Sequence, residues 1–260
     1  LKHSYNVHEM FGKDYGYKSS LNISMVNHLS NKVKKILSTY PLDIDDLIID
    51  IGSNDGTTLN QFPKTFKNLV GIDPTGKNFK DNYNSNVKLI PDFFSSKLIK
   101  KKYQNKKSKL VTAFSMCYDL EDPLTFMQEI YDILDYDGIW IFEQSYMPSM
   151  IKMNSFDTIC HEHIEYYSLS QIKWMTDKIG FQIIDVEFND VNGGSFSVSV
   201  KKNKNKDISY NSNIANILKI EKKENFDELT PYIKFKENVI NLKKSILKLL
   251  TSLKETNKKI

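Results

Sequence analysis

Cysteine is scarce in this chain of 260 residues, which contains only Cys117 and Cys160. The two lie far apart in the sequence, and neither belongs to a closely spaced pair. This scarcity excludes the disulfide scaffolds of small secreted domains and the cysteine clusters of zinc modules. We therefore expect a reducing compartment, and the composition favours the cytoplasm as the localisation.

Long apolar runs are also missing. Nothing in the sequence approaches the roughly 20 consecutive apolar residues that cross a bilayer, and the first residues, LKHSYNVHEMFGKDYGY, lack the apolar block of a secretory signal. With 40% hydrophobic residues, the chain still has enough apolar side chains for a substantial core. These features predict a soluble globular protein without a membrane partner.

Basic residues are in slight excess, and the formal net charge is +4. The excess lies in lysine runs such as IKKKYQNKKSK (99–109), which are poor in arginine and in interleaved aromatic residues. Because proteins that bind nucleic acids commonly stack bases on arginine and aromatic side chains, we interpret these runs as solvated loops, and nucleic-acid binding is disfavoured.

Short apolar runs alternate with helical patterns along most of the chain. Apolar residues at helical spacing first predict a helix over about 21–37. The predicted strands that follow are 47–51, 68–72, 87–90, 109–114 and 138–144, and the predicted helices between them lie near 57–64, 76–82, 95–102 and 123–135. Strands that alternate with helices predict a parallel sheet covered on both faces, which is an α/β fold with three layers.

A different pattern follows the fifth predicted strand. A helix over about 170–179, ended by Gly180, precedes a strand at 181–188, and an Asn-Gly-Gly turn at 192–194 leads into a strand at 195–202. Two strands joined by such a turn predict an antiparallel hairpin. A mostly parallel sheet closed by an antiparallel hairpin resembles the Rossmann-like sheet of class I methyltransferases, although a fold alone does not establish a function.

These patterns divide the chain into three predicted segments: an N-terminal helical segment (1–40), a core domain that binds a cofactor (41–205) and a lysine-rich helical tail (206–260), which can also be the start of a further domain. The tail carries an apolar stripe at helical spacing, formed by Val239, Leu242, Ile246, Leu249, Leu250 and Leu253. The stripe predicts packing against this domain or against another copy of the chain, so a homo-oligomer formed through this helix is one expectation.

The first two predicted strands are each followed by polar groups. The stretch LIIDIGSNDGTTL (47–59) joins a strand to a loop in which Gly52 allows a sharp turn and Asn54 and Asp55 present short polar side chains. It is not a phosphate-binding GxxxxGK[ST] loop, because threonines stand where a lysine is needed. Asp73, about twenty residues beyond this loop, is expected to accept hydrogen bonds from the hydroxyls of a ribose.

Both NAD and S-adenosylmethionine contain a ribose, so Asp73 does not distinguish the two cofactors. The loop after the first strand does. A nicotinamide site favours GxGxxG, whereas GSNDGT (52–57) has polar side chains suited to the amino-acid end of S-adenosylmethionine. After the third strand, Asp92 is expected to accept from the exocyclic amine of an adenine, while Phe93 or Phe94 packs on its ring. The alternative is a strand-terminal turn that uses Gly and Asp, with both phenylalanines in the core.

The stretch FDTICHEHIEYYSLSQI (156–172) concentrates groups that can move a proton. It follows the fifth strand, so we expect it at the same edge of the sheet as the glycine loop, facing the cofactor. In an extended chain His161 and His163 point to opposite sides, and Glu162 can orient one of them as a general base. A metal site is less favoured, because the chain offers few further ligands. Histidines that satisfy buried backbone groups are the remaining alternative.

Four motifs occur in this order along the chain: YGYKSS (15–20), DIGSNDGTTL (50–59), GIDPTGKNF (71–79) and CHEHIEYYSL (160–169). Together they resemble the sugar C-methyltransferase family, which uses S-adenosylmethionine to methylate a carbon of a nucleotide-linked keto-sugar. The resemblance implies that a base removes a proton beside the ketone, and that the resulting enolate attacks the methyl group.

The resemblance also implies roles for individual residues. Those implied to bind the methionine moiety are Gly52, Asn54, Asp55 and Gly56, with Asp73 on the ribose and Ser115 and Met116 flanking the cofactor. His163 is implied to be the general base, and Glu162 and His161 to support it or the sugar. The residues expected to line the sugar pocket are Tyr15, Tyr17, Ser20 and Tyr166.

The sequence departs from the family pattern at two points. Cys160 stands where the family often has a tyrosine, so the substrate can differ. The family's N-terminal zinc domain and C-terminal α/β domain do not appear, which suggests an excised middle piece or a reduced relative with a smaller substrate. Methyl transfer to an oxygen or nitrogen of a small molecule or sugar, and a cofactor-binding protein without catalysis, remain alternatives.

Overall fold

The computed structural model describes residues 5–12, 15–203 and 211–256. Its strands, numbered along the chain, are β1 Leu47–Ile51, β2 Asn68–Ile72, β3 Val87–Ile90, β4 Ser108–Phe114, β5 Leu134–Ser145, β6 Phe181–Asn189 and β7 Ser195–Lys202. They form one sheet in the order β3-β2-β1-β4-β5-β7-β6. The predicted boundary between core and tail, at 205/206, lies outside the described residues.

The first five strands are parallel, and β7 lies antiparallel between β5 and β6. Strand β1 is apolar except for Asp50 and is buried along its whole length, as expected for a strand covered on both faces. The strand order reverses between β1 and β4, which opens a crevice at the carboxyl end of the sheet. The predicted parallel sheet with its closing hairpin is confirmed.

The α-helices of the described residues are α1 Val7–Met10, α2 Ile23–Thr39, α3 Ser96–Lys102, α4 Pro123–Ile133, α5 Met147–Met153, α6 Leu169–Ile179, α7 Ser212–Lys223 and α8 Thr230–Glu255. On one face of the sheet, α2 packs through Val33 and Ile36. On the other face, α3, α4, α6 and α7 contribute to a larger apolar cluster. The three predicted layers are therefore present. Among these helices none is long and apolar enough to span a membrane.

The predicted helix over 57–64 is wrong, although most other predicted elements coincide with observed ones. The segment contains turns and a short 3-10 helix, Leu59–Gln61. The Asp55 carboxylate closes the preceding turn by accepting from the Thr57 hydroxyl (2.6 Å) and N–H (3.3 Å), which competes with helical hydrogen bonding. The predicted helix over 76–82 is likewise a 3-10 helix, interrupted at Phe79.

The C-terminal helices pack against the end of the sheet through α7 and the beginning of α8. Glu221 of α7 is buried and accepts hydrogen bonds from the Tyr146 hydroxyl and the Leu169 N–H, both 2.7 Å. Phe235 of α8 packs with Met147 of α5. Val239 adjoins this cluster, but the next four residues of the predicted apolar stripe are exposed: Leu242, Ile246, Leu249 and Leu250. Packing against the chain's own domain therefore accounts only for the beginning of the stripe.

Candidate active site

The loop after β1 forms one wall of the crevice at the carboxyl end of the sheet. Gly52 has a φ of +72°, and a Cβ at this position would lie 3.1 Å from Met116 Cγ. Both conditions favour glycine, and its missing side chain lets the backbone come close to a ligand. Gly56 also has a positive φ, but a Cβ there would clash with the Tyr83 ring at 2.7 Å, so this glycine serves the packing of the loop.

The Asp73 carboxylate, directly after β2, holds this loop in place. Its Oδ2 accepts from the Asn54 N–H (2.8 Å), and its Oδ1 accepts from the N–H (2.7 Å) and hydroxyl (2.6 Å) of Thr75. A carboxylate has about four acceptor positions. Three are taken, which orients the group and leaves capacity for a hydroxyl of a ligand.

These groups face a cavity of about 330 Å³, called the main cavity below. This volume is typical of small-molecule sites. Six residues predicted to bind the cofactor line it, namely Gly52, Asn54, Asp73, Phe93, Ser115 and Met116. Tyr15 and Tyr17, predicted to bind the substrate, line the main cavity and also an adjoining second cavity.

Residues 15–20, called the strap below, are fastened to the glycine loop. The Ser19 N–H donates to Asn54 Oδ1 (3.0 Å), and Asn54 Nδ2 donates to the Tyr17 carbonyl (2.9 Å). The Ser20 N–H donates to Asp55 Oδ2 (3.2 Å). The structure thus differs from the sequence-based expectation for Asp55, Gly56 and Ser20, which join the loop to the strap or shape the loop and do not line the main cavity.

Only some of the residues expected to contact an adenine line the main cavity. Phe93 lines the main cavity and meets the His8 ring edge-on, with centroids 4.8 Å apart. Phe94 lines the cavity too, with its ring against Phe126. The Asp92 carboxylate, in contrast, is exposed and accepts from the Phe93 N–H (2.8 Å). Asp92 does not line the main cavity, so the structure does not bring it to the position expected for an adenine contact.

His163 is half-buried, with its ring edge-on to Tyr118 at a centroid distance of 4.3 Å. Its Nδ1 lies 2.8 Å from the Thr158 carbonyl. A carbonyl only accepts hydrogen bonds, so Nδ1 carries the proton, and Nε2 of the neutral ring keeps a lone pair. The group that orients His163 is therefore a backbone carbonyl and not Glu162. The Tyr166 hydroxyl donates to the same carbonyl (3.3 Å), which puts Tyr166 beside His163 and not on the main cavity.

The other two residues of the His-Glu-His stretch differ in exposure. His161 is exposed, whereas Glu162 is half-buried and lines the second cavity together with Tyr15 and Tyr17. None of residues 161–163 lines the main cavity, and of the three only Glu162 lines the second one, so both histidines lie off the two cavities. Potential ligand atoms of Cys160, Glu162 and His163 lie within 4.8 Å of one another.

Comparison with known protein families matches residues 25–186 to a methyltransferase domain. The chain belongs to this methyltransferase family. Residues 190–260 match the model of a C-methyltransferase C-terminal domain. The cofactor of this methyltransferase is S-adenosylmethionine.

Individual relatives agree with the family assignment. The C-methyltransferase NovU of Streptomyces niveus is 28% identical to this methyltransferase over 199 residues, which are 76% of this chain and 47% of NovU. The chain thus spans about half the length of this curated relative.

Solved structures share the fold at low sequence identity. A chain of the Haloferax volcanii complex with the Trm112 methyltransferase activator has a TM-score of 0.56 and 12% identity, over 71% of this methyltransferase and 94% of that chain. The plantazolicin methyltransferase BpumL, in complex with a desmethylPZN analogue and SAH, has a TM-score of 0.52 and 13% identity, over 70% and 85% of the two chains. These likenesses support the class I sheet.

Two buried carboxylates beside the main cavity escaped the sequence reasoning. Asp50 on β1 accepts from the Thr112 hydroxyl (2.5 Å), and burial raises the pKa of Asp50 to about 7. At the end of β5, Glu143 contacts His28 Nε2 (2.5 Å) and Lys32 Nζ (3.0 Å). Burial opposes ionisation of Glu143, but these two partners outweigh it and lower its pKa. The sequence pattern that could have identified these two carboxylates is an acidic residue inside an otherwise apolar strand.

A third missed carboxylate is Asp119, at the end of the 3-10 helix Cys117–Asp119 after β4. It lines the main cavity, and its Oδ1 is buried without a hydrogen-bond partner among the described residues. Burial, followed by the nearby charge of Glu162, raises the pKa of Asp119 to about 8. Both effects favour the protonated form of this carboxyl group in the cavity wall.

Proposed function

We propose that this methyltransferase transfers the methyl group of S-adenosylmethionine to a carbon of a nucleotide-linked keto-sugar. Support for a carbon acceptor comes from the match of residues 190–260 to a C-methyltransferase domain and from the similarity to NovU. Support for the keto-sugar comes from the resemblance of the four sequence motifs. The observation that carries the chemistry is the contact between His163 Nδ1 and the Thr158 carbonyl, which makes Nε2 the ring nitrogen with the lone pair for a proton.

The main cavity has the groups that the cofactor requires. Bound S-adenosylmethionine supplies an electrophilic methyl group on a sulfonium. In our proposal, Asp73 accepts from a ribose hydroxyl with its remaining acceptor position, and Gly52 lets the backbone approach the methionine part. Phe93 contacts the adenine ring. Asn54, Ser115 and Met116 complete the wall around the cofactor.

His163 is proposed as the general base. A carbon beside a ketone becomes a nucleophile only after it loses a proton. His163 Nε2 takes that proton, the electron pair of the C–H bond forms the enolate, and the enolate carbon is the nucleophile for methyl transfer. The imidazolium that results still donates from Nδ1 to the Thr158 carbonyl, so the ring keeps its orientation through the cycle.

The acceptor is proposed to lie where the two cavities meet. Tyr15 and Tyr17 line both cavities, and Glu162 lines the second one. Burial, followed by the charge of Glu162, raises the pKa of Tyr15, so its hydroxyl remains a hydrogen-bond donor. Tyrosine hydroxyls and the Glu162 carboxylate are suitable partners for sugar hydroxyls, while the exposed His161 lines neither cavity.

The first test replaces the base and leaves the cofactor site unchanged. We expect His163→Gln to lower turnover by roughly 10²–10⁴-fold. In calorimetric titration, the variant should bind S-adenosylhomocysteine with the same affinity as the unchanged chain. His161→Gln is the matched control, because His161 is exposed two residues away. Dialysis against a chelator is a second control, since the proposed mechanism uses no metal. Full activity of His163→Gln would refute this assignment of the base.

The second test identifies the acceptor atom. The chain is incubated with nucleoside diphosphate keto-hexoses in deuterated buffer, without cofactor, and the carbon-bound protons are followed by NMR. Enolate chemistry replaces the acidic proton with deuterium, whereas methyl transfer to oxygen or nitrogen does not. With cofactor labelled in its methyl group, the product resonance separates a carbon-bound methyl from an oxygen-bound one. An oxygen-bound product without exchange would overturn C-methylation.

A further inference from the structure

Asp119 lies at the junction between the cofactor cavity and the His-Glu-His stretch. It follows Ser115 and Met116, which line the main cavity, and its own side chain lines that cavity as well. The preceding residue, Tyr118, accepts from the Ile164 and Glu165 N–H groups through its carbonyl (3.1 and 3.0 Å). Its ring contacts His163. One rigid turn therefore connects Asp119 with the proposed base.

The surroundings of Asp119 favour a neutral carboxyl group. Glu162 faces it from the His-Glu-His stretch, and Tyr5 and Tyr15 face it from the N-terminal segment. Cys117 and Tyr118 are its neighbours in its own turn. Thiol and phenol groups are neutral near pH 7, so the charge that reaches Asp119 from these neighbours is the negative one of Glu162.

We propose that Asp119 donates a hydrogen bond to the carbonyl oxygen of the acceptor and thereby stabilises the enolate. This inference rests on the proposed function. His163 takes the carbon-bound proton, and the electron pair of the C–H bond moves into the C=C–O⁻ system. The Asp119 proton stays in the hydrogen bond to that oxygen, and the C=O bond forms again when the carbon gains the methyl group. A buried carboxylic acid that donates to an enolate oxygen is an established device for proton abstraction beside a ketone.

The observation that points to a ligand is that Asp119 Oδ1 is buried and has no hydrogen-bond partner among the described residues. A buried polar atom without a partner costs free energy, so native structures rarely keep one without a reason. Here the atom belongs to a side chain on the wall of the main cavity, and the acceptor is proposed to bind where this cavity meets the second one. An ionised carboxylate at this position would repel the developing enolate, whereas a protonated one binds it.

The protonation state is tested first, because it needs no substrate. Infrared difference spectra are recorded at pH 6, 7 and 9 for the unchanged chain, its Asp119→Asn variant and a control variant. The three proteins are prepared in the same way. We expect a carboxylic acid band near neutral pH that is missing from the variant and disappears as the pH rises through about 8. Asp157→Asn, an exposed carboxylate, should leave that band unchanged. No acid band at pH 6 to 7 assignable to Asp119 would overturn the proposal.

The catalytic role is tested by proton exchange at the acceptor carbon without cofactor. We expect Asp119→Ala to slow exchange by roughly 10²–10³-fold, the usual effect of removing one donor to an oxyanion. Asp119→Asn should slow the exchange less than Asp119→Ala does, because the Asn amide still donates a hydrogen bond. The exchange rate of the unchanged chain should fall above about pH 8, and that of Asp119→Asn should not. Calorimetric titration of all three proteins with S-adenosylhomocysteine tests whether the variants keep the main cavity intact, because Asp119 lies on its wall.

The outcomes separate this inference from the function on which it rests. If the unchanged chain exchanges no proton of any keto-sugar, the proposed function fails and the role of Asp119 fails with it. If the unchanged chain exchanges and Asp119→Ala exchanges equally fast, only the role of Asp119 is refuted. A rate that rises through pH 8 in the unchanged chain alone would show that Asp119 acts as a base, which also contradicts a donor role.

Discussion

Asp73 and Asp119 are carboxyl groups on the wall of one cavity, yet their surroundings suit them to opposite tasks. Asp73 accepts three hydrogen bonds from Asn54 and Thr75, so it is held as an acceptor. Asp119 has a buried oxygen with no hydrogen-bond partner among the described residues and lies near Glu162, so its surroundings favour the protonated form, which can donate. Residue type alone does not distinguish them, because hydrogen bonds and burial decide which form is stable.

The raised pKa of Asp119 predicts a pH-dependent cost in stability. Its pKa is about 8 in the folded chain and near the ordinary value of 3.8 in the unfolded one. Between these values the unfolded chain releases the proton while the folded chain retains it, so this residue lowers the free energy of unfolding as the pH rises through that window. Each unit of pKa difference corresponds to about 1.4 kcal/mol.

We therefore expect Asp119→Asn to be more stable than the unchanged chain at pH 8, by on the order of a few kcal/mol, and nearly equal to it at pH 4. Urea denaturation at a series of pH values measures the difference. Comparing the two proteins cancels the contribution of Asp50, whose pKa is also raised. A difference that stays constant from pH 4 to pH 8 would contradict the assigned protonation.

At the scale of elements, the strap and the glycine loop form one unit. Asn54 and Asp55 are oriented toward the strap, 35 residues before them in the chain, by hydrogen bonds to the Ser19 and Ser20 N–H groups. The strap also carries Tyr15 and Tyr17, which line both cavities. The loop that surrounds the cofactor thus also positions the tyrosines proposed for the acceptor.

This coupling predicts the effect of Asn54→Ala. The variant loses the acceptor for the Ser19 N–H and the donor to the Tyr17 carbonyl. We expect hydrogen exchange at the Ser19 amide to accelerate roughly 10-fold, in keeping with the loss of about 1 kcal/mol or slightly more per hydrogen bond. Amides of the buried strand β1 are the internal reference. Unchanged exchange at Ser19 would show that other contacts hold the strap.

Element prediction succeeded where the local pattern and the fold agree. The strands 47–51, 68–72, 87–90 and 195–202 are found with their predicted boundaries, because short runs of apolar residues between turn signals suit buried strands. The predicted helix over 57–64 was wrong, because the Asp55 carboxylate bonds the Thr57 hydroxyl and Gly56 has a left-handed conformation, and both interrupt the helical hydrogen bonding there.

At the scale of the whole molecule, α8 carries an exposed apolar stripe. Leu242, Ile246 and Leu249 project from this helix into solvent, beyond the contact that Phe235 makes with α5. Self-association through α8 remains a prediction from the sequence. Contiguous exposed apolar side chains on one helix face commonly mark an interface.

That prediction has a direct test by sedimentation equilibrium. If the stripe joins two copies, the unchanged chain sediments as a dimer at micromolar concentration, and Ile246→Glu combined with Leu249→Glu shifts it to monomer, because buried unpaired charges are costly in an interface. Lys248→Glu, on the same helix, is the matched control. A monomeric unchanged chain would exclude self-association under these conditions.

The sequence by itself determined the layered sheet, its hairpin, and the glycine loop followed by Asp73, because these depend on apolar periodicity and on residues close in the chain. Tertiary structure decided the raised pKa of Asp119, the tautomer of His163 and the attachment of Asn54 and Asp55 to the strap. Each of these depends on burial or on a hydrogen-bond partner contributed by another segment. Such partners become neighbours only when the chain folds, so no local sequence pattern predicts these contacts.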